Sequence, residues 1–166
     1  ASEIAPKTPE LYVKRVLGLP GETVSVSDGR AYVNGTAIDY CSAALPSSTD
    51  LSKCTFLGPL VIPYKGMTLN LTLATIDKYS TLIEREGNSV VVENNKIIIN
   101  DKEVDTYTVQ DDYYYVLGDN CTDSYDSRFW GFVPLRNIIG KPIMIYWSVD
   151  ATSGSIQWDR IGTIVR

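Results

Sequence analysis

Short apolar runs dominate the chain, and most of them have the length and composition of β-strands. They are rich in Val, Ile, Tyr and Thr and end at Gly, Asn, Asp or Pro, as strands joined by tight turns do. The clearest predicted strands are Thr23–Val26, Ala31–Asn34, Ser89–Glu93, Lys96–Asn100, Asp112–Gly118 and Lys141–Trp147. Only Thr75–Glu86 has apolar residues at helical spacing. The pattern therefore predicts an all-β protein with one short helix.

Two segments of the chain match position by position. Thr23–Ile38 and Ser89–Val104 each contain a strand, a tight turn, a basic residue, a second strand and a second turn. Asp28-Gly29 and Asn94-Asn95 provide residues that adopt the positive φ such turns require. We predict two similar hairpins, which either an internal duplication or convergent hairpin chemistry would explain.

The matching hairpins bracket a less regular segment that contains the helical pattern and two of the cysteines. This arrangement predicts an inserted β-rich domain over residues 27–110. Residues 1–26 and 111–166 would then form a β core domain together.

Composition and charge exclude several classes of function. The chain has 166 residues and a formal net charge of −5, and it has no basic tract, so we expect no nucleic-acid partner. No apolar run reaches the roughly 18 residues that a membrane span needs. Because the chain contains no histidine, acid–base chemistry would have to use Lys, Asp, Glu, Tyr or Cys.

The cysteines do not have the spacing of a metal site. Cys41, Cys54 and Cys121 form no CxxC pair, and neither a metal nor another cofactor is expected. Cys41 and Cys54 flank a polar stretch that a disulfide would close in an oxidising compartment. A disulfide and two free thiols both remain open.

The first candidate motif is YVKRVLGLPGE, Tyr12 to Glu22, in which Lys14 and Arg15 interrupt an apolar, strand-like run. If this run is a strand, Lys14 shares a face with Val16. A lysine on an apolar face is costly unless it is paired or neutral, and burial favours the neutral amine.

The second motif is YYYVLGDNCTDSYDSRFWGFVP, Tyr113 to Pro134, where a strand leads into a dense polar loop. Such loops are usually held by internal hydrogen bonds. Its residues lack the spacing of an EF-hand, which makes calcium a weak option.

Together the two motifs resemble bacterial type I signal peptidases, which are membrane-anchored serine proteases that use a Ser/Lys dyad. The resemblance is strong over Glu10–Val24 and Tyr113–Arg166 and loose between them. It implies a mostly antiparallel β core with an inserted β domain. It also implies substrates that are exported preproteins with small residues before the cleavage site, and a location on the outer (periplasmic) face of the bacterial inner membrane.

The resemblance assigns a role to several residues. Lys14 falls on the general base, and Ser124 falls on the serine that orients the lysine amine. The supporting positions are an ion pair and two further residues of the same loop: Asp126 with Arg128, and Asp119 with Asn120. For Asp123 and Ser127 we expect contacts that only stabilise the loop.

The family's nucleophile has no counterpart here. It is a serine upstream of the lysine, in a Ser-Met segment, but neither Met67 nor Met144 follows a serine. We therefore expect a fragment that carries the base without the nucleophile or the membrane anchor, and that is inactive alone. Its uncovered apolar face would favour dimerisation. The alternatives are a non-catalytic β-rich binding module and a conjugation-type Ser/Lys processing peptidase.

Overall fold

The computed structural model describes residues 11–27, 30–38, 57–119, 124–150 and 152–165. In chain order, its strands are β1 (Arg15–Gly18), β2 (Thr23–Ser27), β3 (Arg30–Val33), β4 (Thr36–Ile38), β5 (Leu57–Val61), β6 (Thr68–Asn70), β7 (Val90–Glu93), β8 (Lys96–Ile99), β9 (Lys102–Glu103), β10 (Thr106–Thr108), β11 (Tyr113–Leu117) and β12 (Val133–Pro134). The helices are α1 (Ile76–Arg85), α2 (Ser127–Trp130) and a 3-10 turn at Leu135–Asn137.

The strands form small sheets in which neighbouring strands run antiparallel. Their orders are β1-β11-β12, β4-β3-β2-β5, β7-β8-β9 and the pair β10-β6. The prediction of a mostly antiparallel all-β fold is confirmed. Within the described residues, no helix is long and apolar enough to cross a membrane.

The two matching segments form equivalent three-stranded meanders, β2-β3-β4 and β7-β8-β9. Asn34 and Asn100 occupy the second turn of each meander, with φ of 51° and 50°. Their side-chain oxygens accept hydrogen bonds from the amides of Thr23 and Ser89, both at 2.9 Å. Asparagine tolerates positive φ and can bond nearby backbone groups, which explains why it stands at both turns. The first turn of the first hairpin, Asp28-Gly29, lies outside the described residues.

Helix α1 confirms the predicted helical segment to within one residue at each end. Ile76, Leu82 and Ile83 are its buried residues. At its start, the Thr75 hydroxyl accepts a hydrogen bond from the amide of Thr72 at 2.9 Å. The apolar stripe that predicted the helix is thus the face that packs inward.

The buried apolar residues form one cluster that joins the strands of several sheets to α1. Its most buried members are Val24, Ala31, Ile62, Ile83, Tyr113 and Leu117. These residues come both from the predicted core segments and from the predicted insertion. The division into two domains remains a prediction.

The predicted strand Lys141–Trp147 is wrong. Met144 forms only an isolated antiparallel bridge with Ile164, and no described strand covers the segment. The side chains of Ile143 and Tyr146 are 75% and 82% exposed. Backbone hydrogen bonds do join the segment to a partner: the Ile145 amide donates to the Thr163 carbonyl and the Val165 amide donates to the Ile143 carbonyl, both at 2.9 Å. A strand requires a longer continuous ladder than this pairing provides.

Candidate functional site

Lys14 and Ser124 are brought together by the pairing of β1 with β11. Arg15 is the register partner of Leu117, so Lys14, just before β1, lies near Gly118, just after β11. The Lys14 Nζ donates a hydrogen bond to the Ser124 Oγ at 2.8 Å. The two motifs of the sequence therefore meet through a hydrogen bond between residues 110 positions apart.

Lys14 differs from its expected position inside a strand. Strand β1 begins at Arg15, and Lys14 is half-buried at its entrance. Its Nζ lies 5.6 Å from the centre of the Tyr12 ring, while Val13 and Val16 are exposed. The described surroundings of the amine are thus a serine hydroxyl, a glycine and an aromatic face, and not a packed apolar core.

Gly118 makes the close approach of these side chains feasible. A Cβ at this position would lie 2.0 Å from the Ser124 Oγ and 3.3 Å from the Lys14 Nζ. Gly118 is itself buried. The site therefore requires a residue without a side chain at the end of β11.

Asp126 connects the loop to the end of β11. It is fully buried and caps the N-terminus of α2 by accepting from the Arg128 amide. One carboxylate oxygen accepts from the Gly118 amide at 2.9 Å. The two oxygens also accept from Nε and one terminal nitrogen of the Arg128 guanidinium, both at 2.8 Å. Such a bidentate ion pair fixes geometry as well as charge.

The ionisation of Asp126 follows from this environment. Burial alone would raise the pKa of its carboxyl group, because it disfavours the charged form. Hydrogen bonds from Arg128, the Gly118 amide and Ser124 outweigh burial and hold the pKa of Asp126 below its usual range. The carboxylate is therefore charged at neutral pH.

A second ion pair joins the two motifs at the surface. The Arg15 guanidinium donates to both carboxylate oxygens of Asp119, at 2.8 and 2.9 Å. This hydrogen bonding lowers the pKa of Asp119, although partial burial opposes it. Exposed ion pairs add little stability, so the contact chiefly sets the position of Asp119 beside β1.

Comparison with known proteins identifies the family of this chain. Residues 4–147 match the family described as "Signal peptidase, peptidase S26". The chain belongs to this signal peptidase family. It is 29% identical over 140 residues to a probable signal peptidase I-2 of Synechocystis sp., covering 84% of this chain and 40% of the relative.

Two other signal peptidases have a similar identity to this chain. Identity is 30% over 179 residues with a signal peptidase I of Buchnera aphidicola, covering 92% of this chain and 55% of the relative. It is 28% over 175 residues with a signal peptidase I of Pseudomonas aeruginosa, covering 96% and 52%. The chain thus spans about half the length of the curated relatives it matches.

Hydrogen bonds and ion pairs join most of the predicted site residues. They are Lys14, Asp119, Ser124, Asp126 and Arg128. Three further predicted positions, Asn120, Cys41 and Cys54, lie outside the described residues, as does Asp123.

Ser127 makes the loop-stabilising contact expected of it. It is buried, and its Oγ accepts from the Val116 amide at 2.9 Å. In the described part of the chain, no group of three or more His, Cys, Asp or Glu residues could hold a metal ion.

Sequence reasoning missed the steric role of Gly118 and the pairing of Arg15 with Asp119. The glycine at the end of a predicted strand was a signal for the first, because glycines in strands often mark a close approach. No local pattern identified the second, since its partners are 104 residues apart.

The Asp126–Arg128 pair provides a stability prediction. We expect Asp126→Asn to lower the free energy of unfolding by about 3 kcal/mol at pH 7, because it leaves a nearly buried guanidinium without its counter-charge. The pKa of Asp126 is lower in the folded state than in the unfolded state. Its contribution is therefore complete above the unfolded pKa of about 3.9 and is lost as pH falls through the folded pKa.

Urea unfolding of wild type and Asp126→Asn between pH 7 and pH 2.5 measures this contribution. The difference between them should shrink below about pH 4. Asp101→Asn is the control, because Asp101 is exposed and its positive φ of 64° suits asparagine equally well. Equal stability of wild type and Asp126→Asn at pH 7 would contradict the prediction.

Proposed function

We propose that the full protein is a signal peptidase that cleaves exported preproteins and that uses Lys14 as its general base. The observation that carries the proposal is the 2.8 Å hydrogen bond from the Lys14 Nζ to the Ser124 Oγ. It occurs in a chain of the signal peptidase family that has no histidine to serve as a base.

The chemistry assigns a defined task to each group. The neutral Lys14 amine accepts the proton of a serine hydroxyl while that oxygen attacks the scissile carbonyl carbon, and the proton then passes to the leaving amine. Water hydrolyses the resulting ester and regenerates the hydroxyl. By resemblance to the family, the attacking serine lies upstream of Lys14.

Ser124 is proposed to orient the amine. One N–H of Lys14 donates to the Ser124 Oγ, which leaves the lone pair of a neutral amine free to face the attacking hydroxyl. Asp126 would fix Ser124 directly, because the Ser124 hydroxyl hydrogen-bonds its carboxylate, and the same carboxylate binds the Gly118 amide and Arg128. Positioning of this kind contributes strongly to rate, because an error of about 1 Å can cost 10²-fold.

The substrate is proposed to bind in an extended conformation beside β1. Among the described strands, β1 is the edge of its sheet. An extended peptide can pair with such an edge through main-chain hydrogen bonds, with pockets for alternate side chains. Signal peptides have small residues before the cleaved bond, typically Ala-x-Ala, and such residues would fit shallow pockets. A membrane anchor elsewhere in the protein would place the site on the outer face of the inner membrane.

Cleavage of a preprotein by the full protein tests the proposal. We expect cleavage directly after an Ala-x-Ala segment, and a loss of at least about 10²-fold when the last alanine is replaced by a bulky residue that the pocket cannot hold. Mass spectrometry of the products identifies the cleaved bond. Binding of the preprotein without cleavage would support a non-catalytic binding module and would overturn the proposal.

A further inference from the structure

We propose that Arg85 and Glu86, at the end of helix α1, are a positioning pair that holds the Ser124–Arg128 loop in its working geometry. This inference rests on the proposed function only for its consequence on rate. Both residues lie in the segment that resembles the family only loosely, and neither belongs to the two motifs.

Arg85 holds the far side of the loop. Its guanidinium donates to the main-chain carbonyls of Phe132 at 2.5 Å and Trp130 at 2.9 Å. Trp130 ends α2, the short helix that Asp126 caps at its start. A planar fork that binds two carbonyls fixes both direction and distance. Arg85 therefore constrains one end of the helix whose other end carries Asp126.

Glu86 holds the near side of the loop. One carboxylate oxygen accepts from the Tyr113 hydroxyl at 3.0 Å and from the Asp111 amide at 3.2 Å, and the other accepts from the Tyr107 hydroxyl at 2.5 Å. Tyr113 is fully buried and begins β11, the strand that leads to Gly118. Burial, together with Glu86, raises the pKa of Tyr113, so its hydroxyl remains a donor.

Further contacts connect the residues bound by Arg85 with those bound by Glu86, and we call the connected set the frame. Tyr113 and Phe132 pack edge to face, with ring centres 6.4 Å apart. Arg136 donates to the Arg85 carbonyl at 2.5 Å and to the Asp111 carboxylate at 3.1 Å. The frame thus joins the chain before the loop, the chain after it and the end of α1. A loop held at both ends can keep the Ser124 Oγ at hydrogen-bonding distance from Lys14.

Hydrogen exchange in the full protein tests the frame without requiring activity. Arg85→Met keeps the aliphatic part of the side chain and removes the guanidinium group. We expect it to speed exchange of the Gly118 amide, which binds Asp126, by about tenfold. The Asn34 amide, which donates to the Thr23 carbonyl in a separate sheet, should keep its rate. Lys78→Met, at an exposed position of α1, should change neither.

Two exchange results would overturn the inference. One is an unchanged Gly118 rate in Arg85→Met. The other is equal acceleration of Gly118 and Asn34, which indicates general destabilisation. If Arg85→Met fails to fold, Arg85→Lys decides, because it keeps the charge and one donor and should give an intermediate acceleration confined to Gly118.

Kinetics of preprotein cleavage measure the consequence of the frame. We expect Arg85→Met to lower kcat by about tenfold and to change KM less than twofold, since positioning acts after substrate binds. In a Ser124→Ala background the same substitution should have little further effect, because coupled residues are not additive. An equal loss in both backgrounds would contradict positioning through Ser124.

Absence of cleavage by the wild type would overturn the proposed function, while the hydrogen-exchange result would still decide whether the frame holds the loop.

Discussion

Lys14→Ala in the full protein is expected to lower preprotein cleavage by at least about 10³-fold and to leave the fold intact. The rate falls because the variant has no group to take the proton of the attacking hydroxyl, and general bases contribute 10² to 10⁴ or more to such reactions. The fold survives because Lys14 is only half-buried and precedes β1. Initial rates of cleavage and circular dichroism of the same samples measure the two effects.

Lys14→Arg separates the role of base from the role of hydrogen-bond donor. Arginine keeps the positive charge and can donate to Ser124, but it cannot lose its proton in a protein. We therefore expect it to be as inactive as Lys14→Ala. Lys96→Ala is the matched control, because Lys96 lies in an exposed ion pair with Glu103 on a separate sheet. Substantial activity in Lys14→Arg would reject Lys14 as the base.

Ser124→Ala provides the graded comparison. It should lower the rate less than Lys14→Ala, because the base remains and only its orienting hydrogen bond is lost. The pH profile of kcat should also shift, since the hydroxyl contacts the amine directly. An unchanged rate and profile would reject the orienting role.

Local features of the fold could be predicted because their causes are local. Helix α1 was indicated by an apolar stripe that the fold buries, and the two hairpins by turn residues that tolerate positive φ. Asn34 and Asn100 show this most clearly, since each accepts a hydrogen bond from a backbone amide at the start of the first strand of its meander. Lys141–Trp147 had an equally good pattern, but its pairing with residues 162–165 is too short to form a strand, and the pattern could not indicate the length of that pairing.

The candidate site could be predicted only as a set of residues. Resemblance to the family pointed to Lys14, Ser124, Asp126 and Arg128, but the contacts among them depend on the pairing of β1 with β11 across the whole chain. Arg85 lay beyond prediction for the same reason. A basic residue at a helix end normally suits the helix dipole, and nothing local indicates carbonyl partners 45 and 47 residues away.

Gly118→Ala is expected to impair both the stability and the activity of the protein. The added Cβ would lie 2.0 Å from the Ser124 Oγ and 2.6 Å from the Ser124 Cβ, so the loop must move. Overpacking of this kind costs about 1–3 kcal/mol, and displacement of Ser124 should lower cleavage by about 10²-fold. Urea unfolding and cleavage rates of the full protein measure the two losses.

A compensating change shows whether the loss arises from this one contact. In Gly118→Ala/Ser124→Gly the clashing Ser124 atoms are gone, so stability should return toward that of Ser124→Gly alone while activity stays low, because the hydroxyl next to Lys14 is still missing. Gly140→Ala is the steric control, since no described atom lies within 4 Å of its added Cβ. If Gly118→Ala were as stable and active as Gly140→Ala, the tight approach of Ser124 to Gly118 would not be needed for the site. The expected result, recovered stability without recovered activity, would show that glycine is needed at position 118 because Ser124 must approach Lys14 there.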